Sequence, residues 1–134
     1  MQDSTGSRLS RSDQFALELA SQPDAARRVR VALEERFASR FRADFIEDLG
    51  AVLTELVNNS VLHGPGTPIR VRLAVQPDGV VRGEVEDDGN GRVAIREIAE
   101  EFGEGGFGLR LVDALVDRWG VYEASTHVWF EFSG

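Results

Sequence analysis

Three clusters of polar residues in this sequence have types and spacings suited to binding or transforming a ligand. In Glu55-Leu56-Val57-Asn58-Asn59-Ser60-Val61-Leu62-His63, Glu55, Asn59 and His63 recur every four residues, so a helix would carry a carboxylate, an amide and an imidazole on one stripe. At about 100° per residue that stripe borders the apolar arc of Leu49, Val52, Leu56 and Ser60, where such groups can line a pocket. The bland alternative is a solvated helix edge, but Asn58-Asn59 argues against it because Asn is a poor helix-interior residue. In Glu86-Asp87-Asp88-Gly89-Asn90-Gly91, strand parity turns Asp87 inward behind Val81 and Val85. A buried carboxylate must receive hydrogen bonds; a ligand amine could supply one, and the glycines would let that ligand approach the backbone. The third cluster, Gly103-Glu104-Gly105-Gly106-Phe107-Gly108-Leu109, runs into the helical pattern Arg110-Leu111-Val112-Asp113-Ala114-Leu115. Free N–H groups at such a glycine-opened helix start suit a phosphate.

Two other readings compete for these segments. Glu86, Asp88, Asn90, Gly91, Val93 and Glu97 fall at positions 1, 3, 5, 6, 8 and 12 of a calcium-loop pattern. Against it, position 1 is Glu rather than Asp, and the preceding segment alternates like a strand where a helix is required. Gly103, Gly105 and Gly108 also satisfy a dinucleotide pattern, but no hydrophobic strand precedes them.

The elements that must position these clusters can be read from periodicity. Residues 1–12 lack apolar periodicity apart from Leu9 and are expected to form a disordered tail, leaving 13–134 as one domain. Phe15, Leu17 and Leu19 alternate as a strand, and Val29, Leu33 and Phe37 mark a helix that begins near Pro23. A long helix follows through Phe45, Leu49, Val52, Leu53, Leu56 and Ser60, and stops at His63-Gly64-Pro65-Gly66. Ile69 to Val75 and Val81 to Glu86 alternate around Pro77-Asp78-Gly79 and predict a β-hairpin. A glycine-rich excursion with an acidic helical patch at Ile95 to Phe102 comes next, then a helix over Phe107 to Arg118 and a closing hairpin of Gly120 to Ala124 and His127 to Phe132. The order implies an α+β two-layer sandwich, a mixed and largely antiparallel sheet covered on one face by helices.

Composition removes whole classes of function. The 134 residues contain no cysteine, which excludes disulfide and zinc-cysteine scaffolds. All 15 cationic residues are Arg, so Schiff-base chemistry, a Walker A clamp and the strand lysine of eukaryotic-type protein kinases are absent. A net charge of -8 disfavours nucleic acid and anionic membranes as partners, and no apolar run is long enough to span a bilayer. A cytoplasmic protein is the expectation.

Taken in order, the Glu/Asn helix, the Asp-x-Gly-x-Gly strand end and the Gly-x-Gly-Leu helix start resemble the N, G1 and G2 boxes of the GHKL (Bergerat-fold) ATPases, over about Phe15 to Phe132. Within that superfamily, Glu55 and the compact chain resemble the anti-sigma-factor serine kinases of bacteria. The resemblance implies binding of ATP with Mg2+, sequestration of a sigma factor and phosphorylation of a serine on an anti-anti-sigma antagonist. It also implies Glu55 as general base, Asn59 as magnesium ligand and Asp87 as acceptor for the adenine amine. Gly89 and Gly91 match the base-pocket glycines, and Gly106 and Gly108, flanking Phe107 and followed by Leu109, match those at the phosphates. Asn58 and His63 would line or support the pocket, Arg110 would add positive charge, and a homodimer is expected from the relatives. Two segments depart from the pattern. The stretch between Gly91 and Gly106 is short and acidic, with Glu97, Glu100, Glu101 and Glu104, and the closing hairpin reads Ala124-Ser125-Thr126-His127 without the glycine often seen there in relatives. The acidic stretch supports an alternative in which the domain binds nucleotide and partners without phosphotransfer.

Overall fold

The computed structural model describes residues 13–89, 108–122 and 126–133. Its elements run β1 (Gln14–Leu19), α1 (Ala25–Phe37), α2 (Ala43–His63), β2 (Ile69–Val75), β3 (Val80–Glu86), α3 (Gly108–Leu115), β4 (Arg118–Val121) and β5 (Val128–Ser133). The strands form one sheet in the order β1-β2-β3-β5-β4, and each of the four pairings is antiparallel. The α+β arrangement matches expectation, with the described sheet antiparallel throughout rather than mixed.

Helix α1 buries Ala25, Ala26, Val29, Leu33 and Phe37, and α2 buries residues three or four apart from Phe45 to Ser60. These stripes, with Val112 and Val116 at and beyond α3, close over the inward side chains Ile69, Val71, Leu73, Val81, Val85, Phe130 and Phe132. Removing this apolar area from water is the main stabilising term. Phe15, Phe37, Phe41, Phe45 and Phe132 form a continuous run of rings, with successive centroids 6.1, 6.0, 4.9 and 4.7 Å apart. The run ties both outer helices to opposite parts of the sheet.

Three features set the site end of the molecule. The β2–β3 turn places Gly79 at φ 88°, the conformation glycine tolerates best, and thereby fixes the hairpin register Val71↔Val85. The next strand contact, Val85↔Val128, aligns the end of β3 with the start of β5. Helix α3 packs against α2. It ends at Leu115, earlier than the expected Arg118: the Asp117 N–H donates to the Glu131 carbonyl (2.9 Å), and sheet pairing starts there instead. The acidic patch predicted at Ile95 to Phe102 and the tail 1–12 lie outside the described residues.

Candidate functional site

Asp87 lies one residue beyond β3, on the inward face that parity assigns it, and is 4% exposed. Its Oδ1 accepts from the Gly89 N–H (2.9 Å) and from the Thr126 hydroxyl. Its Oδ2 is buried with no hydrogen-bond partner among the described residues. A buried carboxylate oxygen left unsatisfied costs about 1–3 kcal/mol or more, so its retention calls for a donor from beyond the described residues.

The walls around that oxygen are bare backbone. A Cβ placed on Gly64 would lie 2.7 Å from Asp87 Oδ2 and 2.5 Å from the Ser60 carbonyl. Gly64 has φ -82° and ψ 178°, an extended conformation open to any residue, so close approach rather than chirality demands glycine there. Its N–H caps α2 by donating to Ser60 O (2.8 Å). Gly89 is confined less severely, since a Cβ there would meet Asp87 Oδ1 at 3.1 Å, Pro65 Cδ at 3.3 Å and Thr126 Cγ2 at 3.4 Å. The carboxylate is thus closely packed between the end of α2, the end of β3 and the residues just before β5.

The polar stripe of α2 leads away from this carboxylate along one helix edge. Glu55, Asn58, Asn59 and His63 are all half-buried, and their side chains make no hydrogen bond or ion pair with the described residues. Leu56, Val57 and Ser60 between them are buried, which anchors the stripe at the border of the core as the periodicity requires. An unpartnered carboxylate one helical turn from an unpartnered amide can hold a proton acceptor beside a cation-binding oxygen. Gly108 opens α3 and Leu109 follows within its first turn, while Arg110 is exposed. Gly91, Gly106 and Phe107 lie outside the described residues.

Calcium loses its support here. The segment before Glu86 is the strand β3 and not a helix. Glu86 and Asp88, the first two oxygen ligands of that pattern, already face Arg70 at 3.5 and 2.6 Å.

The family model for the histidine kinase-like ATPase domain matches residues 19–132. This chain belongs to the histidine kinase-like ATPase family. Among solved structures, it is similar to the RsbU and RsbW domains of Rv1364c from Mycobacterium tuberculosis, with a TM-score of 0.70 and 26% identity over 90% of this chain. The chain spans 31% of that larger protein chain. A search of the curated proteins found no match. In this kinase-like ATPase domain, Asp87 sits between Gly64 and Gly89 with its Oδ2 unpartnered among the described residues.

Two residues packed against Asp87 carry no local signal of that contact. In sequence Thr126 only stands near where relatives often carry glycine, yet just beyond the last pair Val85↔Val128 its hydroxyl donates to Asp87. Gly64 reads in sequence as a helix stop, whereas its second role depends on a contact with a residue 23 positions later.

Proposed function

We propose that this domain is an ATP- and magnesium-dependent protein serine kinase that also holds a sigma factor inactive, its acceptor being a serine on an anti-anti-sigma antagonist. The observation that carries the nucleotide half is the unpartnered, buried Asp87 Oδ2 in its glycine-walled slot. The exocyclic amine of adenine supplies the missing donor, Gly64 and Gly89 admit the ring edge, and Thr126 fixes the other oxygen of the same carboxylate. Gly91 is assigned to the base side of the pocket; Gly106, Phe107, Gly108 and Leu109 to the phosphate side.

The kinase half is supported by the α2 stripe and by the resemblance to an RsbW domain. Asn59 offers an amide oxygen to Mg2+, a hard cation that supplies charge neutralisation at the phosphates when bound. Glu55, one turn earlier, takes the proton of the serine hydroxyl as its oxygen bonds to the γ-phosphorus. The bond from that phosphorus to the bridging oxygen breaks, and the electron pair leaves on ADP. Asn58 and His63 keep the stripe polar, and Arg110 adds positive charge at the start of α3. Positioning and electrostatics supply most of the catalysis in such transfers, which makes a lysine-free site workable.

The outer sheet face fits protein partners better than nucleic acid, because Arg70, Arg72, Arg82 and Arg118 are each paired with carboxylates there. No described helix is long and apolar enough to cross a membrane. A cytoplasmic setting and a homodimer complete the proposal. The test is phosphoserine formation on the antagonist by wild type and Glu55→Gln. Loss of about 10²–10⁴-fold in rate with ATP binding kept supports the base. Equal rates contradict it, and a wild type that binds ATP and both partners yet forms no phosphoserine replaces the kinase by a regulatory nucleotide-binding module.

A further inference from the structure

The chain turns from the inner to the outer face of the sheet between Thr126 and His127. Thr126 is buried and donates to Asp87 from the inner side. His127 lies on the outer side, half-buried, immediately before the first residue of β5. Several contacts hold it there: Nε2 is 2.9 Å from Glu84 Oε1, the ring centroid lies 4.3 Å from that of Tyr122, and its carbonyl accepts from the Tyr122 N–H (2.9 Å). Nδ1 also lies 4.0 Å from Glu86 Oε2.

Those carboxylates are themselves fixed. Arg72 of β2 donates to Glu84 (3.2 Å) and Glu86 (3.1 Å), and the Tyr122 hydroxyl accepts from Arg82 (3.0 Å). The outer grip on His127 therefore passes through the sheet rather than through a single flexible side chain. Asp87 and Thr126 both lie just beyond their strands, so ladder pairing alone does not set the distance between them.

We infer that His127 is a positioning residue for the base-binding slot: clamped by Glu84 and Tyr122 on the outer face, it sets the backbone from which Thr126 holds Asp87 Oδ1, leaving Oδ2 aimed at the ligand. The inference rests on the reading of Asp87 as the adenine-amine acceptor. Its consequence is specific. Loosening the clamp blurs the orientation of one carboxylate, and so erodes discrimination at the 6-position of a purine more than it erodes purine binding as a whole.

The experiment compares ADP with inosine diphosphate by calorimetry on wild type, Thr126→Val, His127→Phe and His127→Gln, with unliganded unfolding measured alongside. The two nucleotides share sugar and phosphates and differ at the position facing Asp87. Wild type is expected to prefer ADP by about tenfold or more, the scale of one oriented hydrogen bond to a charged group. Thr126→Val and His127→Phe should each bring that preference to about twofold, with cooperative unfolding retained. His127→Phe keeps an aromatic ring against Tyr122 and removes only the ring nitrogens. His127→Gln, whose side-chain amide can donate to Glu84, should restore the preference. A His127→Phe protein that discriminates as well as wild type overturns the inference, as does failure of the Gln variant to recover discrimination. A wild type that binds neither nucleotide overturns the reading of Asp87 itself.

Discussion

On the outer face of β3, every charged side chain has an opposite charge within reach. Arg72 meets Glu84 and Glu86, Arg82 meets Glu131 while its guanidinium carbon lies 4.8 Å from the Trp129 ring centroid, and His127 meets Glu84. One residue past the end of that strand, on the inner face, Asp87 has a carboxylate oxygen with no partner among the described residues, walled by two glycines. The contrast separates two uses of charge. The exposed network is complete, is screened by water and salt, and adds little per pair to stability. The buried group is incomplete among the described residues and costly by itself, which is the ground for the proposal that it meets a ligand.

Four perturbations would break or sharpen this contrast, from the largest expected effect to the smallest. Phe130, fully buried beneath both regions, should cost about 3–5 kcal/mol of unfolding free energy when replaced by Ala, measured in denaturant. A loss under about 1 kcal/mol would mean that the core does not run continuously beneath the site. Asp87→Asn should weaken ATP binding by about 100-fold while raising unliganded stability by about 1 kcal/mol, because a buried amide is cheaper than an unpaired carboxylate. Reduced stability in that variant would assign Asp87 to the fold instead of the ligand.

Gly64→Ala should lower ATP affinity about tenfold and cost about 1–3 kcal/mol, since the added methyl meets Asp87 Oδ2 and the Ser60 carbonyl. Arg72→Ala, on the outer face, should change stability at neutral pH by less than about 1 kcal/mol, and by less still in high salt. Its signature lies in the pH dependence. Burial tends to raise the Glu84 carboxyl pKa, but hydrogen bonds from His127 and Arg72 outweigh it and hold it below its ordinary value. Glu86 is lowered likewise, with Arg70 and Arg72 overcoming burial. Groups with lowered folded values contribute stability above the unfolded value, about 4.5, and lose it as the pH falls through the folded value. Wild type should therefore lose stability below about pH 4.5, and Arg72→Ala less steeply, in chemical unfolding followed from pH 7 to 3.

Most of the fold and part of the site are legible in the amino-acid sequence, for reasons that differ between elements. The long helix is readable because Phe45, Leu49, Val52, Leu53, Leu56 and Ser60 repeat at helical spacing, and the same periodicity locates the Glu55, Asn59 and His63 stripe beside them. The inward turn of Asp87 follows from strand parity alone. Periodicity overruns the end of α3 because Val116 continues the apolar helical pattern, while the signal that stops the helix is the bond from Asp117 to Glu131 across the sheet. Thr126 and Gly64 are opaque for the same reason: each touches Asp87 through tertiary packing, which no local pattern encodes.

The most direct test is thermal unfolding of wild type and Asp87→Asn with ATP and Mg2+ together and each alone. Ligand at about a hundred times the wild-type dissociation constant should stabilise wild type by about 2.7 kcal/mol, several degrees in Tm, and the variant, bound about 100-fold more weakly, by only about 0.4 kcal/mol. An unshifted wild type at millimolar ATP, or an equal shift in the variant, would contradict the claim that the unpartnered oxygen of Asp87 is the nucleotide's anchor.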